Sequence, residues 1–145
     1  MAAAAEPITD ASLSLERLVR WGEDLGARLV PGNVVALYGD LGAGKTTLAQ
    51  AICRGYGVTQ PVTSPTYAIV HEYAAPRSVV WHLDLYRLGT PADLVTVGFD
   101  ELVAGDAVAI IEWPERAGQR LPPESIGVHL AHDPRDPARR YLRRG

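Results

Sequence analysis

The sequence predicts a single α/β domain. A length of 145 residues with 47% hydrophobic composition suits one globular core. The apolar run NVVALY at residues 33–38 leads into a glycine-rich loop and a helical segment, as a buried strand followed by a turn and a helix would. Two further pairs of apolar runs are joined by short connections, which favours antiparallel hairpins over parallel crossovers.

The first half of the chain is predicted to contain two helices around one strand. The first helix covers residues 12–29, where four leucines recur at helical spacing before Pro31. The strand follows at 33–38 and, because it is almost fully apolar, should be covered on both faces. The second helix covers 45–54 and ends at the following glycines.

The second half is predicted to be rich in strands. Residues 67–73 and 78–85 should form a hairpin, because about four residues cannot cross over between parallel strands. The remaining predicted elements are a helix opened by Thr90 as N-cap and Pro91 and running toward Val97, a strand at 107–111, and a closing hairpin of 125–131 with 138–144.

Composition excludes several classes of function. The formal net charge of −3 offers no strong overall attraction for nucleic acid or anionic lipid. No apolar stretch approaches the ~20 residues that span a bilayer, and the start of the chain does not resemble a secretory signal. We therefore expect a cytoplasmic protein with no membrane contact, a flexible segment at 1–9 and one domain at 10–145. The single cysteine, Cys53, is expected to be a small buried thiol.

The strongest motif is a P-loop. Gly39 is followed by four residues and then by Gly44-Lys45-Thr46, between a predicted strand and a predicted helix. Such a loop surrounds phosphate with backbone N–H groups at a helix N-terminus. Lys45 should reach the terminal phosphates, and the Thr46 hydroxyl should bind Mg²⁺. The candidate cofactor-binding residues of this segment are Asp40, Leu41, Gly42, Ala43, Gly44, Lys45, Thr46 and Thr47.

Two acidic residues end apolar runs and are candidates for the metal. Asp84 follows VVWHL, and Glu112 follows AVAII. Ligands of open α/β sheets collect at the carboxyl ends of strands, so either carboxylate could hold Mg²⁺ or orient an attacking water. The alternative for each is a solvated strand end or a helix cap. His82 alternates with Asp84 on one strand, and a polar interaction is favoured there over metal binding.

Two other segments gain meaning from the P-loop. Ser64 and Thr66 are candidates for a switch loop that senses the terminal phosphate and Mg²⁺, although Ser64-Pro65-Thr66 could also be a plain proline turn. Trp113 could be core packing or an aromatic shield beside the nucleotide. In the basic tail at 139–145, alternate arginines are expected to face solvent, with contact to tRNA or a partner as the less favoured alternative.

Four motifs in this order, GDLGAGKTTL, SPTY, HLDLYRL and IEWPE, resemble those of the TsaE (YjeE) family of bacterial ATPases. The resemblance implies a P-loop NTPase fold with a mixed central β-sheet flanked by helices. It implies ATP and Mg²⁺ as cofactors, with Thr46, Glu112 and Asp84 at the metal, Lys45, Asp84 and Glu112 as catalytic residues, and Trp113 next to the nucleotide. It also implies a role in tRNA N6-threonylcarbamoyladenosine synthesis with TsaD and TsaB, through which the protein would meet tRNA indirectly.

The predicted function is therefore a Mg²⁺-dependent ATPase that resets or regulates the TsaB–TsaD complex. A small-molecule kinase is the first alternative. P-loop kinases commonly close an arginine-bearing lid over the phosphates, and the segment best placed for a lid, 113–123, offers only Arg116 and Arg120. A non-catalytic, nucleotide-dependent binding module is the second alternative. It differs from the predicted ATPase mainly in that it would not turn over ATP.

Overall fold

The computed structural model describes residues 11–62, 69–88 and 90–145. Seven strands and four α-helices lie in these ranges, together with two 3₁₀ segments at Leu85–Arg87 and Pro114–Arg120. The strands are β1 Ala11–Ser14, β2 Val34–Tyr38, β3 Val70–Tyr73, β4 Val80–Asp84, β5 Val108–Glu112, β6 Ile126–His132 and β7 Arg139–Arg144. The helices are α1 Leu15–Arg28, α2 Lys45–Tyr56, α3 Ala92–Thr96 and α4 Phe99–Ala104.

The strands form one sheet in the order β1-β7-β6-β2-β5-β4-β3. Strands β6, β2, β5 and β4 run parallel to one another, whereas β3 pairs antiparallel with β4 and both β7 pairs are antiparallel. The mixed sheet and both predicted hairpins are therefore confirmed. The parallel strands all end at the same edge of the sheet, where open α/β folds bind ligands.

Helices α1 and α2 cover one face of the sheet, and their backbones approach closely. A Cβ atom added at Gly26 of α1 would lie 2.0 Å from the carbonyl oxygen of Ile52 on α2. Only glycine fits there, so α2 is held firmly against its neighbour. Leu18, Leu25 and Ile52 are almost fully buried in this layer, as the leucine periodicity predicted.

The opposite face over β4 and β5 is covered by shorter elements. Helices α3 and α4 place Leu94 and Phe99 in a second core cluster with Leu83 and Ile111 of the sheet. The α4 helix was not predicted from the sequence. Strand β5 is buried along its whole length, from Val108 to Glu112, because it has cover on both faces.

The sequence prediction is wrong at the start of α1. The helix begins at Leu15, and residues 11–14 instead form β1, which pairs with β7. Ser14 is the N-cap, and its side chain accepts a hydrogen bond from the Arg17 N–H. The apolar periodicity of a helix does not mark where a preceding edge strand ends, which explains the error.

The prediction at the start of α3 is wrong by one position. Pro91, not Thr90, occupies the N-cap, and the Asp93 carboxylate accepts a hydrogen bond from the Thr90 N–H. The first two residues of the predicted strand at 67–73 lie outside the described residues.

Cys53 is fully buried on α2, as predicted. Burial raises the pKa of its thiol to about 12, which makes it a poor nucleophile. Within the described ranges, no helix has the length and apolar character needed to cross a membrane.

Candidate functional site

A cavity of about 610 Å³ opens at the carboxyl edge of the parallel strands. This volume lies within the range of small-molecule binding sites. Its walls come from the glycine loop, the ends of β4 and β5, the start of α1 and the turn before β7. The lining residues are Leu15, Leu18, Leu41, Gly42, Gly44, Lys45, Thr46, Thr47, Asp84, Tyr86, Glu112, Trp113, Pro137, Ala138 and Arg140.

The glycine loop connects β2 to α2 and presents the N-terminus of a 12-residue helix to the cavity. Gly44 has a left-handed backbone with φ of 102°, which is strained for any residue with a side chain. This conformation turns the chain sharply into α2. The loop therefore has the strand, turn and helix context that a phosphate-binding P-loop requires.

Lys45 is the first residue of α2, and its side chain folds back over the loop. Its ammonium donates to the carbonyl oxygen of Gly39 and lies 3.5 Å from the centroid of the Trp113 ring. Burial lowers the pKa of Lys45 from its ordinary value, although nearby carboxylates, that of Glu112 first, oppose this shift. A buried ammonium with carboxylates nearby is suited to an anionic ligand that arrives with a counter-ion.

Trp113 has an unusual backbone. Its φ of 58° is the only positive value at a non-glycine residue of the described ranges, and it follows directly after β5. The centroid of the Trp113 ring also lies 5.0 Å from the centroid of the Tyr86 ring. Sequence reasoning left core packing and an aromatic shield open for this residue. The structure places it against Lys45 in the cavity wall, while it also packs on the second core cluster.

Thr46 and Glu112 face each other across the floor of the cavity. The Thr46 hydroxyl lies 3.3 and 3.4 Å from the two carboxylate oxygens of Glu112. Asp84 is the register partner of Glu112 on the neighbouring strand, so the two strands end with adjacent carboxylates. A hydroxyl and two carboxylates are hard oxygen donors of the kind that Mg²⁺ prefers, and they therefore fit this ion.

Asp84 also has a structural contact. Its carboxylate accepts a hydrogen bond at 3.0 Å from the Tyr86 N–H and so caps the 3₁₀ segment. The capping alternative considered for this residue is therefore real, and it coexists with a place in the cavity wall.

His82 lies behind Glu112 and outside the cavity lining. Its Nε2 atom is 2.7 Å from Oε2 of Glu112, and both side chains are buried. The predicted polar interaction of His82 is thus with a candidate metal ligand. Within the described ranges, no group of three or more His, Cys, Asp or Glu side chains could hold a metal by itself. Ligand oxygens would have to complete any coordination shell.

The structure separates the predicted site residues into three sets. The P-loop residues 41, 42 and 44–47, together with Asp84, Glu112 and Trp113, line the cavity. Asp40 and Ala43 do not line it; the Asp40 carbonyl instead accepts a hydrogen bond from the Ala43 N–H inside the loop. Ser64 and Thr66 lie outside the described residues.

Arg140 is a site residue that the sequence did not reveal. It belongs to β7, and its guanidinium donates to the carbonyl oxygen of Gly42 at 3.3 Å. Nothing in the local pattern RRYLRR distinguishes this arginine from those expected to face solvent. Only the pairing of β7 with β6, and of β6 with β2, brings it beside the loop.

Comparisons with known proteins agree on one family. The family model described as threonylcarbamoyl adenosine biosynthesis protein TsaE matches residues 12–141. The tRNA threonylcarbamoyladenosine biosynthesis protein TsaE of Treponema pallidum is 37% identical over 119 residues, which is 82% of this chain and 87% of that protein. The Nostoc protein of the same description is 40% identical over 123 residues, covering 81% of this chain and 74% of its own.

A solved structure is similar as well. The crystal structure of Bacillus subtilis YdiB superposes with a TM-score of 0.74 and 27% sequence identity. The match covers 95% of this chain and 88% of that one.

Proposed function

The chain belongs to the TsaE family, and from that premise we propose that it is a Mg²⁺-dependent ATPase acting in tRNA N6-threonylcarbamoyladenosine synthesis. The match over residues 12–141 confirms the resemblance that the four motifs predicted. TsaE proteins take part in the biosynthesis of this modification, as the names of the relatives state. ATP hydrolysis, the metal and the protein partners are our proposals for this chain.

One observation carries the ATPase proposal. Lys45, Thr46 and Glu112 converge on a single cavity at the N-terminus of α2. In the proposed mechanism, the N–H groups of the loop hold the phosphates and Lys45 neutralises the charge that develops on the terminal one. Thr46 and Glu112 would hold Mg²⁺, which supplies Lewis-acid stabilisation of the phosphate oxygens when bound.

Other residues are assigned supporting roles. Asp84 would contact the metal, directly or through water, or orient the attacking water from the end of β4. Trp113 covers the Lys45 ammonium and would limit the access of bulk water to the phosphates. We further propose that Ser64 and Thr66 belong to a loop that senses the terminal phosphate.

The two lid arginines argue against transfer to a metabolite. Arg120 forms an ion pair with Asp100 at 2.5 Å, and Arg116 donates to the carbonyl oxygen of Leu88 at 3.2 Å. Neither residue lines the cavity. Water is therefore the favoured acceptor of the phosphoryl group, and a small-molecule kinase lacks a supporting observation in the described residues.

We propose that the cavity works against the surface of TsaD and TsaB, and that tRNA is reached only through them. Three exposed apolar side chains surround its mouth: Leu15 is 60% exposed, Leu41 64% and Tyr86 41%. Apolar side chains clustered at a nucleotide site are typical of a surface that a partner covers. Hydrolysis in such an assembly would reset or regulate it.

The first experiment measures phosphate release from ATP by the purified protein with and without Mg²⁺, beside Glu112→Gln. We expect Mg²⁺-dependent release that falls at least about 10-fold in the variant, because one metal ligand is lost. Nucleotide binding in metal-free buffer should be unchanged. An equal loss of binding without metal would instead assign Glu112 to folding.

The second experiment adds TsaB, TsaD and tRNA. We expect nucleotide-dependent capture of TsaB and TsaD and faster hydrolysis in their presence. Rapid phosphorylation of a metabolite with no stimulation by these proteins would favour the kinase. Nucleotide-dependent capture without any turnover would favour the non-catalytic module.

A further inference from the structure

The buried pair of His82 and Glu112 is unusual for a hydrophobic sheet. His82 is 0% exposed and Glu112 only 3%, and their side chains meet at 2.7 Å between Nε2 and Oε2. The other ring nitrogen of His82, Nδ1, is buried and has no hydrogen-bond partner in the described part of the chain. An unpaired buried polar atom destabilises a fold, so the contact made by Nε2 must account for a histidine at this position.

We propose that His82 is a positioning residue that turns Glu112 into a one-oxygen ligand and so makes the site selective for Mg²⁺ over Ca²⁺. This inference rests on the proposed nucleotide and Mg²⁺ site. It assigns to His82 no contact with nucleotide or metal, because the side chain does not line the cavity. The histidine acts only through the carboxylate.

The geometry separates the two oxygens of Glu112. Both oxygens lie 3.3 to 3.4 Å from the Thr46 hydroxyl, but only Oε2 also meets the His82 ring, at 2.7 Å. The histidine therefore leaves Oε1 as the Glu112 oxygen that is less engaged by the protein. Carboxylates that hold metals are commonly oriented by such a partner behind them.

Mg²⁺ and Ca²⁺ respond differently to a carboxylate of this kind. Mg²⁺ requires near-octahedral coordination and accepts single oxygens, whereas Ca²⁺ takes more ligands and often both oxygens of one carboxylate. A carboxylate that is free to rotate can present both oxygens. Removing the His82 contact should therefore weaken Mg²⁺ binding and reduce the preference over Ca²⁺.

The test compares His82→Gln with His82→Met. Gln places its amide nitrogen near the level of Nε2 and can still donate to Glu112, whereas Met has similar length and no donor. ADP affinity is measured by calorimetry in EDTA, in Mg²⁺ and in Ca²⁺, a readout independent of turnover. We expect all three proteins to bind ADP equally in EDTA and the Gln variant to keep the wild-type ratio of Mg²⁺ to Ca²⁺ affinity.

The Met variant should lose about 10-fold of the Mg²⁺-dependent affinity, with a smaller loss in Ca²⁺. An unchanged ratio in Met would overturn the role of His82 while leaving the proposed function intact. Wild-type protein whose ADP binding ignores Mg²⁺ would instead refute the metal site itself. If the Met variant does not fold, His82→Asn replaces it, because its amide ends near the level of Nδ1 and cannot reach Glu112; retained selectivity in Asn would equally refute the inference.

Discussion

Two polar clusters, each built around a buried carboxylate, differ in how completely their hydrogen bonds are formed. The site cluster consists of Lys45, Thr46, His82 and Glu112 at the carboxyl edge of the sheet. The clasp consists of Ser12, Asp133, Arg135 and Arg139, where β1 meets the β6–β7 hairpin. Both clusters combine charged groups with hydroxyl or imidazole groups.

The clasp is closed by short contacts. The Ser12 hydroxyl donates to Asp133 at 2.7 Å and accepts from Arg139 at 2.9 Å, and Asp133 also accepts from the Arg135 N–H at 2.9 Å. In the site cluster, His82 and Glu112 also meet at 2.7 Å, but the hydroxyl of Thr46 is 3.3 to 3.4 Å from Glu112, and Nδ1 of His82 has no hydrogen-bond partner among the described residues.

This difference separates a structural cluster from a functional one. A cluster that satisfies its own polar atoms adds stability and has little left for a ligand. A cluster in which some contacts are long and one buried atom is unpaired contributes less to stability and keeps donors and acceptors for binding. Changes in the site cluster should therefore affect chemistry, and changes in the clasp should affect folding.

The largest expected effect is on turnover, for Lys45→Met. We expect at least about 100-fold less ATP hydrolysis, because the charge proposed to neutralise the terminal phosphate is lost. The melting temperature should not fall, because burial already lowers the pKa of Lys45 and so opposes its charged form in the folded state. Phosphate release and thermal unfolding are measured on the same preparation. A large drop in melting temperature would contradict the separation of the two clusters.

The next effect is on stability, for Ser12→Ala in the clasp. This change removes hydrogen bonds to Asp133 and Arg139 and leaves the cavity lining intact. We expect a melting temperature lower by roughly 5 °C at pH 7 and unchanged ATP hydrolysis at 20 °C. A loss of hydrolysis without loss of stability would show that the clasp serves the site directly.

A smaller effect is the pH dependence of the same difference. The hydrogen bond from Ser12 is the first of several contacts that lower the pKa of Asp133. A carboxyl whose folded-state pKa is depressed stabilises the fold above its unfolded pKa, and this stabilisation is lost as pH falls through the folded value. The gap between wild type and Ser12→Ala should thus be full at pH 6–7 and shrink below about pH 4. A gap that stays constant in acid unfolding scans would rule out the charged contact as its source.

The smallest effect is expected for Ser14→Ala. Ser14 caps α1 through one exposed hydrogen bond of 3.3 Å to the Arg17 N–H, outside both clusters. Its removal should cost about 0.5–1 kcal/mol of unfolding free energy, measured by urea denaturation. If Ser14→Ala lowered the unfolding free energy more than Ser12→Ala does in the same urea titration, the clasp would stabilise the fold less than the helix cap.

Much of the fold followed from local patterns in the sequence. The glycine loop between β2 and α2 was predicted because its residues are short-range signals for a strand, a turn and a helix. Asp84 and Glu112 were each predicted as candidate metal ligands because each ends an apolar strand, and ligands of open α/β sheets collect at the carboxyl ends of strands. The parallel pairing that makes them neighbours came from the structure. The predicted switch loop falls within residues 63–68, which lie outside the described ranges, so that prediction stays untested.

Other features arose only from long-range pairing. Strand β1, the approach of Arg140 to Gly42 and the clasp all require β7 to lie between β1 and β6, and no local periodicity encodes that order. Likewise, the sequence predicted that His82 and Asp84 lie on one face of a strand. It did not predict which side chain His82 would contact. The contact with Glu112 depends on the register of β4 against β5.

The sequence by itself determined the kind of ligand that we propose, because the residues expected to hold phosphate are contiguous in the chain and would act through their own backbone. The tertiary structure decided which side chains lie beside that candidate site and which close the fold. Those contacts join residues up to 127 positions apart, and their geometry exists only once the strands have paired.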